Sequence, residues 1–370
     1  MQTETYLSQF DEAPGYLDFA RVGPPSRAVV AEAARLIGLT ATGTASARQE
    51  LGRQELRARS AVARLVGSDP GRVVLQPSTS FGLFQAAFGL PSGEVLVAES
   101  EFPANTYPWA RAEQAGRLTV RWMRPSTGRV TPDVVVEHLT PGVTAVAVSA
   151  VDYRTGHRAD LAALREAVGE RLLVVDAMQA LGAVDEPWEV ADVLVCGGQK
   201  WLRNGLGTGF AVLSDRAIER MDPLLSGWTG ARDPARLDGG VQSASAGASA
   251  WSVTGPNPVA AGALATALEL LNSVGAARVA GLIASRVALL EDVLLSSGAE
   301  IVSATGRRGG ILSFRVPGRG SREVGAALEA EEIIATVRAD HVRLAPHAST
   351  GSVAADRLRT AMRRPAAGSG

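Results

Sequence analysis

Lysine and cysteine are nearly absent from this sequence. Its 370 residues contain one lysine, Lys200, and one cysteine, Cys196, so arginine supplies almost all of the positive charge. A single cysteine excludes an intramolecular disulfide bond. The formal net charge of -1 gives no electrostatic reason to expect nucleic acid or an anionic membrane as a partner.

Long hydrophobic runs are missing as well. No run approaches the ~18 apolar residues of a membrane helix. The start of the chain, MQTETYLSQFDEAPG, has neither a basic region nor an apolar core, so we predict no signal peptide. A hydrophobic content of 46% with 20% charged residues is ordinary for a soluble enzyme, and we expect a cytoplasmic protein.

Short apolar runs, rich in β-branched residues, alternate with helix-like segments. The predicted strands are 72–76, 94–99, 118–122, 144–149, 171–176, 192–196 and 209–213. Helical patterns cover 81–90 and 159–169. This alternation predicts an α/β protein with a mostly parallel sheet that is covered on both faces. Ligands of such sheets bind at the carboxyl ends of the strands.

The pattern changes after Trp228. Residues 229–252 are rich in Gly, Ala and Ser, which indicates a loop that packs against a ligand or partner. A long helical pattern follows from Pro258 and joins a C-terminal α+β region that includes a strand near 309–318. We therefore predict a large domain over 16–257, and a small domain formed by 1–15 and 258–370 with the interdomain helix.

One pair of residues in the sheet region indicates a cofactor. Asp176 ends an apolar strand, and Lys200 follows the next strand after a pair of glycines. Pyridoxal 5'-phosphate (PLP) needs a lysine for covalent attachment and a carboxylate that faces its pyridine nitrogen. The alternative is an Asp that caps a helix and a lysine on the surface. The spacing, the glycine pair and Trp201 favour PLP.

The segment from 172 to 209 resembles the class V aminotransferase family of fold type I PLP enzymes. That family includes cysteine desulfurases, kynureninases and isopenicillin N epimerases. Its pattern of Asp, then Gln or His three residues later, then the PLP-binding Lys matches Asp176, Gln179 and Lys200. The resemblance extends from YLDFA near residue 16 to RLAPHAST near residue 343. It implies a large domain with a mostly parallel seven-stranded sheet and a smaller C-terminal α+β domain.

Two further segments match the parts of the family site that hold the cofactor. Ser78, Thr79 and Ser80 lie between a strand and a helix, where hydroxyl and N–H groups bind anions, although a plain N-cap fits the same residues. The resemblance implies that Thr79 and Ser80 bind the PLP phosphate. Phe102 matches the side chain that stacks on the PLP ring, with an ordinary core residue as the alternative.

The resemblance implies cofactor contacts for several other residues. Gln179 would contact the phenolic oxygen, and Asp152, which stands where the family often has Asn, would lie on that same side. Asn105 and Gln199 would bind near the phosphate, and Trp228 would contact the phosphate or the substrate. Thr254 would contribute to the partner subunit's phosphate site. No metal site is predicted.

Arg343 matches the arginine of the family's C-terminal motif, which binds the substrate α-carboxylate. A planar guanidinium suits this task because it forms two parallel charge-assisted bonds. Residues 300–345 contain no cysteine, which argues against the thiol chemistry of cysteine desulfurases. The kynureninase-like segment Asn-Ser-Leu-Gly is replaced by Ala20-Arg21-Val22-Gly23, which argues against hydrolysis of kynurenine itself.

From these observations we expect a homodimeric PLP enzyme that acts on an α-amino acid, with active sites at the subunit interface. Lys200 would move the Cα proton after it has held the cofactor. The first hypothesis is an aminotransferase, the family's default activity. The second is a β-eliminating C–S or C–C lyase without a catalytic cysteine. The third is a non-catalytic relative that kept the fold.

Overall fold

A computed structural model describes residues 1–364 and contains two β-sheets with helices around them. The strands are β1 (Val73–Gln76), β2 (Glu94–Ala98), β3 (Thr119–Met123), β4 (Val143–Ser149), β5 (Leu172–Asp176), β6 (Val193–Gly197), β7 (Gly209–Leu213), β8 (Glu300–Ile301), β9 (Leu312–Arg315), β10 (Thr336–Val337) and β11 (Val342–Leu344). The helices are α1 (Thr3–Leu7), α2 (Arg27–Thr42), α3 (Ala45–Gly52), α4 (Gln54–Val66), α5 (Thr79–Gly89), α6 (Tyr107–Gln114), α7 (Pro132–His138), α8 (Leu161–Val168), α9 (Asp215–Arg220), α10 (Pro258–Val274), α11 (Ala276–Ser296), α12 (Ser321–Glu329) and α13 (Ser352–Arg363).

The first seven strands form one sheet in the order β1-β7-β6-β5-β4-β2-β3. Strands β2 to β6 pair in parallel, and β7 runs antiparallel to both of its neighbours. All seven predicted strands are present, so the expectation of a mostly parallel α/β sheet is confirmed.

The central strands are buried on both faces because helices cover both sides of the sheet. Leu173 and Val175 of β5 pack into one hydrophobic cluster, and Leu172 and Val174 pack into another. This alternation follows from the two-residue period of a strand. It explains why β5 and β6 read as continuous apolar runs in the sequence.

Close packing fixes helix α5 above the sheet. Ser78 caps its first turn by accepting a hydrogen bond from the Phe81 N–H at 3.2 Å. Gly82 faces β6, where an added Cβ would lie 2.6 Å from a methyl group of Val195. The helix therefore approaches the sheet closely, and its N-terminus lies beside the end of β6.

The second sheet has the order β10-β11-β9-β8 and is antiparallel throughout. Residues near the N-terminus run along it, with bridges from Tyr16 to Ile334 and from Asp18 to Ala345. The predicted domain bounds stay a prediction, and their last six residues, 365–370, lie outside the described part of the chain. Within residues 1–364, none of the helices is both long enough and apolar enough to cross a membrane.

Candidate active site

A cavity of about 180 Å³ opens at the carboxyl edge of the large sheet. Its walls come from the ends of several strands and from the first turn of α5, as expected for a parallel sheet. The predicted site residues that line it are Ser78, Thr79, Ser80, Phe102, Asp176, Gln179, Gln199 and Lys200. Residues more than a hundred positions apart in sequence are therefore brought together.

Lys200 follows β6 after a short turn, and its side chain lines the cavity. The Nζ atom lies 5.6 Å from the centre of the Phe102 ring. Burial lowers the pKa of Lys200 to about 8, although attraction to Asp176 acts in the opposite direction. About a tenth of the amine is therefore unprotonated at pH 7, far more than for an ordinary lysine, and this fraction is able to act as a nucleophile or base.

Asp176 is the last residue of β5 and is almost fully buried. Its Oδ1 accepts a hydrogen bond from the Met178 N–H at 2.8 Å. Burial raises the pKa of Asp176 to about 6, while the Met178 N–H and the charge of Lys200 oppose that rise. The site thus contains one buried carboxylate and one amine that influence each other's ionisation.

The cavity floor between α5 and β6 is shaped by a glycine. An added Cβ at Gly197 would lie 2.6 Å from Gln199 Oε1 and 3.0 Å from Thr79 Oγ1. Thr79 is buried, and its hydroxyl contacts the Met178 sulfur at 3.2 Å. Ser80, one residue further along α5, is exposed. The N-terminus of α5 therefore presents hydroxyl and N–H groups beside the cavity, as anion binding requires.

An aromatic wall closes another side of the cavity. Phe102 is 41% exposed and hence lies outside the hydrophobic core. Its ring meets that of Tyr153 edge to face, with centroids 5.1 Å apart. Tyr153 also lines the cavity, although the sequence analysis assigned it no role. A flat heteroaromatic ring has an apolar surface to pack against here.

Both polar atoms of the Gln179 side-chain amide form hydrogen bonds within the protein. Its Nε2 donates to Ala20 O at 2.9 Å, and its Oε1 accepts from Trp201 Nε1 at 2.9 Å. One N–H of the amide is left for a ligand. The N-terminal segment also supports the turn that carries Lys200, since the Gly23 N–H donates to Gln199 O at 2.7 Å.

Four predicted cofactor residues do not line this cavity. Asn105 is buried and its Oδ1 accepts from Trp109 Nε1 at 3.1 Å. Asp152 accepts bonds from the Thr155 N–H and hydroxyl, both at 2.6 Å, and so stabilises a turn. The exposed Trp228 and Thr254 lie elsewhere, Trp228 in a separate groove.

Arg343 also lies outside the cavity, behind Tyr153. It is buried on β11, donates to Tyr153 O at 3.0 Å and forms an ion pair with Asp18 at 3.3 Å. Its charge nevertheless contributes to lowering the pKa of Lys200. The charge of Arg343 therefore acts on a residue of the cavity, although its side chain is already hydrogen-bonded to the protein.

Sequence analysis missed a serine and a glutamate at the same sheet edge. Ser149 ends β4 directly beside Asp176 and lines the cavity. Its N–H donates to Glu101 Oε1 at 2.9 Å, and its hydroxyl donates to the other carboxylate oxygen. Burial raises the pKa of Glu101 to about 7. The position of Ser149 at a strand end was the available signal.

The residues present fit PLP. The cavity offers a lysine, a buried carboxylate, an aromatic wall and a helix N-terminus with hydroxyl groups. The glycine at 197 leaves open the space that a side chain would fill. Among residues 1–364, the structure contains no cluster of side chains suited to a metal ion.

Comparison with known sequences gives a consistent result. The family model for aminotransferase class-V matches residues 26–355. An uncharacterized aminotransferase, YcbU, from Bacillus subtilis is 29% identical over 303 residues, which cover 78% of each chain. The kynureninase of Deinococcus radiodurans is 30% identical over 277 residues, covering 70% of this chain and 66% of that protein.

Solved structures share the same fold. A mutant of C-DES with glycine covalently linked to the PLP cofactor superposes with a TM-score of 0.87 at 19% identity, covering 98% of this chain and 99% of the other. A cysteine desulfurase from Thermococcus onnurineus NA1 gives 0.83 at 20% identity, covering 94% and 93%. These similarities establish PLP fold type I. The chain belongs to the class V aminotransferase family of PLP-dependent enzymes.

Proposed function

We propose that this enzyme acts on an α-amino acid and that its reaction is transamination. The observation that carries the proposal is the position of Lys200. The only lysine of the chain lies in a cavity beside the buried Asp176 and beneath an aromatic ring. A lysine with a lowered pKa in such a site is suited to covalent attachment and proton transfer.

PLP, when bound, supplies an electron sink for the charge left when the substrate Cα loses a proton. Asp176 provides the negative charge that keeps the pyridine nitrogen protonated. Thr79, Ser80 and the free N–H groups of the first turn of α5 hold the phosphate. Phe102 packs against the ring and fixes its plane, which contributes about 1 kcal/mol beyond the burial of area.

Lys200 carries the proton in this proposal. Its pKa of about 8 keeps the unprotonated amine available to accept a proton from Cα. The resulting ammonium group can return that proton to a different atom, which is what transamination requires. Asp176 stabilises the ammonium form, since the two groups attract each other.

A β-lyase is the second candidate, and the aromatic wall favours it. Phe102 and Tyr153 would pack well against a substrate with an aromatic or apolar β-substituent, and the curated relatives include kynureninases. Sulfur transfer through a protein thiol is disfavoured, because Cys196 is buried and burial raises its pKa far above the usual range. A non-catalytic role is disfavoured by the retained Lys200 and Asp176.

We also infer a homodimer. The loop from 224 to 253 exposes a series of large apolar side chains, including Trp228 at 61% and Leu237 at 85%. These residues lie in or beside a groove of about 680 Å³ formed by residues 226–244. A second copy would cover this surface and bring Thr254 to the partner's phosphate site. The cytoplasmic location stays a prediction, for which cell fractionation is the test.

A panel of amino acids distinguishes the two reactions. Holoenzyme is mixed with amino acids with and without a β-leaving group, and absorbance and products are followed by spectroscopy and mass spectrometry. An aminotransferase without an acceptor stops after one half-reaction, with at most one 2-oxo acid of unchanged carbon skeleton formed per active site. Continuous release of pyruvate or alanine without an acceptor, with loss of the β-substituent, would instead establish the lyase.

A further inference from the structure

Arg343 is held in a buried network that already contains a carboxylate. Its side chain and that of Asp18 are each about 4% exposed. Arg343 Nη2 donates to Asp18 Oδ1 at 3.3 Å and to Thr336 Oγ1 at 3.1 Å. The Thr336 hydroxyl donates to the same Asp18 oxygen at 2.7 Å. The arginine, the aspartate and the threonine therefore form a closed triangle of hydrogen bonds.

The network leaves donors on Arg343 unused. A guanidinium has five N–H groups, and three of them are bonded to Tyr153 O, Asp18 and Thr336. The Nε–H is buried and has no partner among residues 1–364. A buried donor without an acceptor is costly, which makes Arg343 receptive to one more acceptor.

The net charge of the buried groups around Arg343 determines how strongly such an acceptor would bind. A lone buried arginine attracts a carboxylate strongly, because few water molecules screen the interaction. Paired with Asp18, Arg343 belongs to a neutral unit, and an incoming carboxylate meets both the cation and a like charge. Asp18 cannot move away easily, since its neighbours Leu17 and Phe19 bond to Ile334 O and Ala345 O at 2.9 and 3.1 Å.

We propose that Asp18 is a specificity-determining residue, a fixed internal counterion that weakens the binding of the substrate α-carboxylate to Arg343. The inference rests on the proposed function, action on an α-amino acid, and on the assignment of its α-carboxylate to Arg343 that the family resemblance implies. A moderate affinity is useful in transamination, because each half-reaction must release a carboxylate product.

The experiment changes the charge beside Arg343 in both directions. Asp18→Asn removes the carboxylate and keeps a side-chain oxygen, whereas Thr336→Asp adds a carboxylate, with Thr336→Asn as its neutral match. The probes are butyrate, glutarate and 3-phenylpropionate, amino-free carboxylates that holoenzyme cannot convert, each compared with its amide. Dissociation constants are measured by calorimetry and by the cofactor's absorbance.

Asp18→Asn should bind at least one carboxylate tighter by about tenfold or more, with no gain for the amide. Thr336→Asp should bind carboxylates weaker than Thr336→Asn by a similar factor, which tests the proposal even if Asp18→Asn fails to fold. Asp340→Asn removes an exposed charge from the neighbouring turn and should leave the constants unchanged. Binding seen only in Asp18→Asn, with none in the wild type, also supports the proposal.

Unchanged or weaker carboxylate binding in a folded Asp18→Asn protein overturns the proposal, and so does equal binding by the two Thr336 variants. Arg343→Ala separates this failure from a failure of the proposed function. If Arg343→Ala loses carboxylate affinity while Asp18→Asn shows no gain, only the counterion role is wrong. If Arg343→Ala binds carboxylates as the wild type does, the assignment of Arg343 itself is wrong.

Discussion

At the scale of single residues, the proposed chemistry depends on two ionisable groups whose burial moves their pKa values toward neutrality. The pKa of Lys200 is lowered and the pKa of Asp176 is raised, each because the charged form of the group is poorly solvated in the cavity. The pKa of Glu101 is raised as well, and this carboxyl is hydrogen-bonded to Ser149, which lines the cavity. Such groups destabilise the empty protein and are suited to catalysis.

Lys200 offers the most direct test of covalent attachment. Because it is the only lysine, borohydride reduction of the yellow holoenzyme should fix PLP to the peptide that contains it, as peptide mapping by mass spectrometry would show. Lys200→Ala should lose covalent attachment and at least about a thousandfold in turnover, since it lacks both nucleophile and base. Label found only on the N-terminal amine would refute the assignment.

Asp176→Asn should have opposite effects on activity and stability. Turnover should fall severely, because the pyridine nitrogen loses its anionic partner, and PLP should still bind. The folded pKa of about 6 exceeds the ordinary 3.8, so the carboxyl favours folding at low pH and that contribution is lost as pH rises through 6. The apo variant should thus be more stable than wild type at pH 8, by up to about 3 kcal/mol.

Urea unfolding of apoprotein at pH 8 and pH 4 checks this prediction. At pH 4 the wild-type carboxyl is mostly protonated in the folded protein, so the two proteins should then have nearly equal stability. A stability difference that does not depend on pH would show that ionisation of the Asp176 carboxyl does not destabilise the folded protein.

At the scale of elements, the site is formed where β5, β6 and the N-terminus of α5 meet. Each element was predicted from its own local pattern. The positions of Asp176 at a strand end and of Lys200 just after a strand pointed to the sheet edge where the cavity lies. The supporting contacts of the N-terminal segment were not predictable. Ala20 and Gly23 reach Gln179 and Gln199 through backbone bonds, which leave no trace in side-chain patterns.

Gly197→Ala tests the shape of the cavity at the proposed phosphate site. The new methyl group would lie within 3.0 Å of Gln199 Oε1 and Thr79 Oγ1, so both must shift. We expect PLP affinity to fall by about tenfold or more, measured by absorbance titration of apoprotein. Gly281→Ala is the matched control, because its methyl group meets nothing within 4 Å on α11 and should leave PLP affinity unchanged.

At the scale of the whole molecule, the exposed apolar loop is the feature that a monomer does not explain. Contiguous apolar surface of this kind marks interaction sites in soluble proteins. Leu237→Asp should therefore weaken the proposed dimer and reduce activity, with both measured over a range of protein concentrations by light scattering and turnover. Leu295→Asp, an exposed leucine at the end of α11, should change neither.

Wild-type protein that stays monomeric at micromolar concentration with full activity would contradict the dimer. It would also remove the reason for assigning Thr254 to a partner's phosphate site. An obligate interface of this class commonly buries more than about 2,000 Å². The proposed dimer should accordingly persist through dilution and moderate salt.

The sequence by itself determined the α/β class, the seven strands, the family and the Lys200–Asp176 pair. These follow from local signals, namely continuous apolar runs, strand-end polar residues and the spacing between them. Tertiary structure alone decided that Tyr153 and Ser149 line the cavity, that Glu101 bonds to Ser149, and that Arg343 is buried against Asp18. Those contacts join residues as far apart as 18 and 343, whose proximity depends on how the two sheets and the N-terminal segment pack.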